Sequence, residues 1–371
     1  MLRLRFLLVS IVVGACIVAI GLSAPSPTES ASVGSIVPGA EMRAPRSGQT
    51  ATLLPDGRVL IAGGMRRNQD FYRSAELFDP KSGQFQPTGE MLIGRVGHGA
   101  VLLPSGKVLV AGGWVGHAVT DEAELYDPAS EKFTATARMT VKRGQPRLTL
   151  LRDGNVLVTG GAGDNDGPGS SIVAAEIFDA ATLMFRASGP MHHARVSQTA
   201  TLLADGRVLV AGGRGSEVNV SAELYDPKSG TFRETGSMIT ARYKHTAGLL
   251  PDGRVLLAGG SDDRDWHGTL KSAEIYDPQR GTFTAAATLN DARFKLPAAV
   301  RLESGQLLIA GGNRQAELYD ERSGKFAVVA GDMGDSRHFM TETLLSDGRV
   351  LLAGGYAYSP DATAQTWIYR P

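Results

Sequence analysis

The chain has 371 residues, with 38 basic and 38 acidic side chains and 46 glycines. Balanced charge gives no support for binding nucleic acid or an anionic membrane surface. The single cysteine, Cys16, excludes an intrachain disulfide.

At the N-terminus, Arg3 and Arg5 precede an apolar run from Phe6 to Leu22. A basic n-region followed by an apolar h-region is an export signal rather than part of a fold. Small residues at Gly21, Ser23 and Ala24 permit cleavage there, and the run is also close to the length of a short membrane anchor. Val13-Gly-Ala-Cys16 resembles a bacterial lipoprotein signal, in which the cysteine is lipidated. All three alternatives place the rest of the chain outside the cytoplasm, secreted or periplasmic, with membrane contact only through this segment. Residues 1–24 are read as export signal or anchor, 25–32 (Pro-Ser-Pro-Thr-Glu-Ser-Ala-Ser) as a flexible linker, and 33–371 as the folded domain.

From residue 33 onward one pattern recurs. Glycine pairs fall at Gly63-Gly64, Gly112-Gly113, Gly160-Gly161, Gly212-Gly213, Gly259-Gly260, Gly311-Gly312 and Gly354-Gly355. They lie 43 to 52 residues apart, and each ends an apolar run such as Val208-Leu-Val-Ala211. Before each run stands a stretch rich in Thr and Ala, closed by a turn, as in Thr199-Ala-Thr-Leu-Leu-Ala-Asp-Gly206. Asp-Gly between two strands marks a tight hairpin. After each pair come a variable loop, Ala-Glu-Leu-Tyr-Asp-Pro or a variant, and a second turn. An outer strand containing Phe then ends at Met91, Met139, Met191, Met238, Leu289 or Met333. Four short strands in a period of about 40–50 residues are the signature of a propeller blade. The sequence thus predicts an all-β, seven-bladed β-propeller with four-stranded antiparallel blades.

The seventh copy stops at its third strand, Thr366-Trp-Ile-Tyr-Arg-Pro371, whereas Pro38-Gly-Ala-Glu-Met42 parallels Pro87-Thr-Gly-Glu-Met91. Residues 34–42 are therefore expected to supply the fourth strand of the last blade. Such closure leaves no open sheet edge at the seam.

Because the strands alternate in direction, the loops after the second and fourth strands share one face. That face carries the variable loops 65–74, 114–121, 162–173, 214–220, 261–271, 313–315 and 356–365. Variable loops on a rigid scaffold are where binding resides. Phe71, Tyr72, Trp114, Trp266, Tyr356 and Tyr358 are contact candidates for a sugar or protein, since a ring offers area with little entropy to lose. The same face carries an arginine at the start of every blade: Arg46, Arg95, Arg143, Arg195, Arg242, Arg293 and Arg337. Seven guanidiniums around one mouth would attract carboxylates. Against this, Glu76, Glu124, Glu176, Glu223, Glu274 and Glu317 stand in the third strands of six blades, with Gln365 in the seventh. Two series that repeat in step with the fold are what structural ion pairs would produce.

His98, His245 and His338 lie within three residues of their blade's arginine, and His192-His193 just precede another. They could converge, but none shows a helical or hairpin metal spacing, so no metal site is expected. Asp164-Asn-Asp-Gly167 and Asp262-Asp263 with Asp265 are acidic, yet neither continues into a calcium-binding loop. No nucleophile elbow, phosphate loop or dinucleotide fingerprint sits in a suitable context, and no helix is expected after residue 33. No catalytic residue is assigned.

The recurring arginine, glycine pair, Glu-x-Tyr-Asp-Pro and aromatic before Met resemble the kelch repeat across residues 33–371. Phe85, Phe133, Phe185, Phe232, Phe283 and Phe326 stand where kelch repeats often carry Trp. The resemblance implies a scaffold binding a protein or carbohydrate ligand through its variable-loop face, without a cofactor. The expected contacts are the seven arginines with Tyr72, Trp114, Trp266 and Tyr356. The propeller of galactose oxidase is similar, and that family's copper-radical site needs a cysteine crosslinked to a tyrosine. Here the sole cysteine is Cys16 in the export segment, so oxidase activity is not expected. An exported kelch family that interconverts sialic-acid anomers without a cofactor supplies the alternative, an enzyme acting on an anionic sugar. None of its site residues maps onto this chain.

Overall fold

Each repeat folds as its burial pattern dictates. In the fourth blade the strands are Thr199–Leu202, Val208–Ala211, Ala222–Asp226 and Thr231–Glu234, counted outward from the axis. All four residues of the second strand are buried, as are the first four of the third. A continuous apolar run belongs to a strand covered on both faces. The outer strand instead alternates, with only Phe232 turned inward. At the Asp-Gly turn Gly206 takes a φ of +91°. Asp205 Oδ1 accepts the Arg207 N–H at 3.0 Å and locks that turn.

The computed structural model describes residues 33–67, 70–164, 170–357 and 361–371. The export segment with Cys16, the linker 25–32, Tyr358 and Asn165-Asp166-Gly167 lie outside the described residues. Among those described, seven four-stranded antiparallel sheets follow one another in chain order, making a seven-bladed propeller. The last blade holds Thr341–Leu344, Val350–Ala353 and Thr366–Arg370 and is completed by Ser35–Pro38 from the other end of the chain. Its closing register runs from Ser35 opposite Arg370 to Pro38 opposite Trp367. The expected ring closure is therefore present, with the strand itself shorter than residues 34–42.

Seven apolar clusters make up the core, and each joins two neighbouring blades. The seam is no exception: Met42, Val59, Ile61 and Phe78 pack with Leu345, Leu351 and Ile368. Six aromatic pairs lie between third and outer strands, with centroids 4.8–4.9 Å apart. Phenylalanine fills the outer position well enough for tilted ring packing.

Backbone hydrogen bonds also link the blades. The second glycine of every pair donates to the carbonyl of the next blade's arginine at 2.7–2.9 Å, including Gly355 to Arg46 across the seam. This contact explains the glycine pair. Gly63 and Gly64 have φ of +62° and +87°, and a Cβ would meet the Arg95 and Ser47 carbonyls at 2.7 and 2.9 Å.

Three local departures bear on function. Loop 114–121 folds into a small hairpin, Trp114–Val115 with Ala118–Val119. Against the expectation of no helix, Asp265–His267 forms one 3₁₀ turn that presents Trp266. In the sixth blade Gly305 lies twelve positions after Arg293, where Gly206 lies eleven after Arg195. The extra residue, together with Pro297, shortens the innermost strand to Val300–Arg301. Ala310 N–H, which in regular blades faces that strand, is left without it. Glu342 from the seventh blade fills the gap, its Oε1 accepting this N–H at 2.7 Å.

Candidate ligand site at the channel mouth

Six of the seven arginines point into their own blade, where they are 0 or 1 % exposed. Each pairs with the third-strand glutamate of its blade at 2.6–2.9 Å. Each also donates to the carbonyl just before that strand at 2.8–3.0 Å. The second oxygen of each glutamate accepts a backbone N–H from the residue that follows Met42, Met91, Met139, Met191, Met238 or Leu289, at 2.6–2.8 Å. The pair thus staples each blade-to-blade connection to the next blade. Arg337, whose blade has Gln365 in place of glutamate, bonds Gln365 Oε1 at 3.0 Å. No open ring of guanidiniums forms, and none of the seven lines the cavity at the mouth.

Two residues beyond each arginine the chain turns toward the axis. These positions are Gly48, Gly97, Gln145, Ser197, Lys244, Lys295 and Phe339, and all seven have φ between +50° and +63°. Their backbones join head to tail around the mouth: Gly48 to Phe339, Gly97 to Gly48, Gln145 to Gly97, Lys244 to Ser197, Lys295 to Lys244 and Phe339 to Lys295, at 2.8–3.1 Å. Between the third and fourth blades the link is by side chains, Ser197 Oγ donating to Gln145 Oε1 at 2.7 Å. Only the left-handed backbone aims both N–H and C=O along such a ring. For a residue with a side chain that conformation costs about 1–2 kcal/mol. Two blades avoid the cost with glycine and five do not.

All seven positions line one cavity of about 440 Å³ that leads into the channel. Its two sides differ. On one side Trp114 lies across Gly97 and Gly144, so close that a Cβ on either would meet the indole at 2.6–2.7 Å. Glycine at position 97 therefore leaves room for an aromatic platform. On the other side stand the two lysines. Lys244 Nζ donates to Asp265 Oδ1 at 2.9 Å, and Tyr243 Oη donates to the same oxygen at 2.6 Å. Burial lowers the Lys244 pKa, and Asp265 offsets part of that loss.

Lys295 is treated differently. It is 6 % exposed, and its ammonium lies 3.8 Å from the ring centre of Trp266, 4.9 Å from Phe294, 5.5 Å from Tyr356 and 5.7 Å from Phe339. Its Nζ donates to Tyr356 Oη at 3.0 Å. Burial first, and then the neighbouring Lys244, bring its pKa down to about 8. Burial raises Tyr356 to about 12, so the phenol keeps its proton at neutral pH.

Deeper in the channel, Glu342 occupies a place held by Ala51, Ala100, Leu148, Ala200 and Ala247 in other blades. Burial raises its pKa well above the usual carboxyl value, and among the described residues Oε2 has no hydrogen-bond partner. Arg147, also in the lining, donates to the Gln198 carbonyl at 2.8 Å. The lining thus carries three cationic side chains and one carboxyl held toward its neutral form.

The remaining expected residues scatter. Tyr72 lies beneath the Arg46 guanidinium, 4.9 Å from ring centre to Cζ, and is not in the cavity lining. Trp114 lines the mouth, while Trp266 and Tyr356 meet at Lys295. His98 and His245 hydrogen-bond Thr50 and Thr199 at 3.0 and 3.1 Å. Burial holds His98 down to about 3 and His245 well below its usual value, so both are neutral. His338 packs edge-on against Trp266 at 4.8 Å. Among the described residues no three His, Cys, Asp or Glu side chains could share a metal ion.

Lys244, Lys295, Gln145, Ser197, Phe339, Arg147 and Glu342 were not singled out from the sequence. A signal was available: the position two after each arginine is constant in register and different in chemistry from blade to blade.

The Kelch motif family matches residues 242–290, the span from Arg242 through the fifth blade's outer strand, Thr282–Ala285, to Asn290. With seven four-stranded blades in a closed ring, the protein is a seven-bladed β-propeller carrying a Kelch motif. A fungal alcohol oxidase of the AA5 family, solved in complex with copper, superposes with a TM-score of 0.74 at 17% identity, over 91% of this chain and 76% of that one. That likeness is one of fold. Among curated proteins none matches the chain in sequence.

Proposed function

We propose that this propeller is an exported binding protein that holds a small anionic carbohydrate in the mouth of its central channel. The observation that carries the reading is the ring of seven left-handed positions, five of which bear side chains at a conformational cost. Backbone strain retained at one place on a scaffold points to use of that place. The cavity volume falls within the range of small-ligand sites and is too small for a folded partner. Lys244, Lys295 and Arg147 favour a negative group, and the Trp114 face offers a stacking surface for a sugar ring. Location outside the cytoplasm rests on the N-terminal signal pattern alone.

The test is binding of the purified protein to an array of sialylated, uronic-acid and neutral sugars alongside peptides, followed by calorimetry on any hit. Acidic sugars should be retained, with Trp114→Ala weakening them about tenfold at an unchanged melting temperature. Retention of peptides alone, or acidic-sugar binding indifferent to Trp114→Ala, would overturn the proposal.

A further inference from the structure

We propose that Lys295 is an amine nucleophile that condenses reversibly with the carbonyl carbon of an aldehyde or ketone, such as the open-chain form of a sugar acid, to give an imine. The inference rests on the reading of the channel mouth as a ligand site. Its geometric basis is the contrast between two lysines at equivalent positions of adjacent blades. Lys244 is neutralised by Asp265 at 2.9 Å, whereas Lys295 bonds a phenol and is walled by Trp266, Phe294, Phe339 and Tyr356. Among the described residues no carboxylate salt-bridges Lys295. A lysine desolvated in an apolar pocket beside a second cation is the arrangement that activates an amine at neutral pH.

The groups that set its charge are Lys244 and Asp265 of the adjacent blade, with Tyr356 and His338 beside it. Lys244 lowers the pKa of Lys295 and Asp265 raises it, burial being the largest influence. His338 is itself brought down to about 4 by burial and adds no charge at neutral pH. At a pKa near 8 about a tenth of the amine is neutral at pH 7. In the reaction the Nζ lone pair adds to the carbonyl carbon and the C=O π pair moves to oxygen. That oxygen takes a proton from the adduct nitrogen, relayed by Tyr356 Oη at 3.0 Å from Nζ, to give a carbinolamine. A second proton, from water, lets the oxygen leave as water while the nitrogen lone pair forms the C=N bond, so neutral amine, carbonyl and one proton become protonated imine and one water.

The experiment is reductive trapping: the full-length protein is incubated with pyruvate and cyanoborohydride, and modified lysines are mapped by peptide mass spectrometry. Lys295 should be alkylated about tenfold faster than the exposed Lys81, Lys142 and Lys228 near neutral pH. Its rate should level off above about pH 8. Lys295→Arg should remove that adduct without shifting the melting temperature, and Tyr356→Phe should slow it. Modification of Lys295 no faster than of the surface lysines, or none, overturns the inference. Acidic-sugar binding without a Lys295 adduct overturns this inference alone. A selective adduct without any sugar binding upholds it and overturns the binding reading instead.

Discussion

Removing one glutamate from the buried staples tests whether the arginines are structural. Glu223 is fully buried, and its oxygens accept from Arg195 Nη2 at 2.9 Å, His192 N–H at 2.7 Å, His192 Nδ1 at 2.9 Å and His193 N–H at 3.2 Å. Burial works against its charge, but these donors outweigh it and hold the carboxyl below its usual range. Glu223→Ala strands a guanidinium that is 0 % exposed. Breaking a buried pair by removing one partner costs about 3–5 kcal/mol. Arg195 keeps its bonds to the Gly212 and Ser221 carbonyls and to Ser221 Oγ, which points to the lower end, about 3 kcal/mol. For a domain of this size the unfolding entropy is about 0.7 kcal/mol per degree, so the melting temperature should fall by about 4 °C. Urea titration and calorimetry would read both quantities. Replacing both partners, Arg195→Met with Glu223→Leu, should recover more than half of the loss, since an apolar pair is often as stable as a buried ionic one. As a control, Glu90→Ala removes an exposed 3.9 Å pair with Arg73 and should cost less than about 1 kcal/mol. A Glu223→Ala effect no larger than the control would refute the staple.

Deleting residues 33–42 strips the outer strand from the last blade and uncovers Trp367 and Tyr369, now 4 % and 1 % exposed. The melting temperature should drop by more than in Glu223→Ala, and an unchanged melt would contradict the closure. Gly213→Ala should destabilise by about 1–2 kcal/mol from its left-handed backbone, beyond the approach of a Cβ to the Val196 carbonyl at 2.9 Å. Glu342→Ala orphans the Ala310 N–H at a cost of about 1–3 kcal/mol, while Glu342→Gln keeps an acceptor there. Because the folded-state pKa of Glu342 is raised, its stabilising contribution is complete below the ordinary carboxyl pKa and is lost as pH rises through the folded value. Wild type should therefore lose stability relative to Glu342→Gln as pH rises above the ordinary carboxyl range, and parallel pH curves would contradict the burial of this carboxyl.

Blade number, strand order and the closing strand were all legible in the chain, because each repeat states locally what it buries. The glycine pairs, the buried runs such as Val208–Ala211 and the methionine register of Met42 and Met91 fix neighbours that every blade meets in the same way. The arginine and glutamate series were legible too, and their regular repetition marked them as part of the scaffold. What sequence position alone misdirected was the aim of the arginines. They start each blade at the mouth, yet their side chains turn into the blade, and it is the residue two further on that faces the axis.

The ligand site was written in the same repeats but could not be read as a site. Lys244, Lys295 and Phe339 are separated by about fifty residues each, and Trp266 and Tyr356 reach Lys295 from two different blades. In the chain each is one variable residue among many. Packing of the fifth, sixth and seventh blades side by side brings them within a few ångströms of each other, as it sets Glu342 beside the irregular strand of the sixth blade. Repeated local contacts are encoded once per blade and are visible as period. The contents of the channel arise from all seven blades at once, so they depend on a geometry that exists only when the ring is shut.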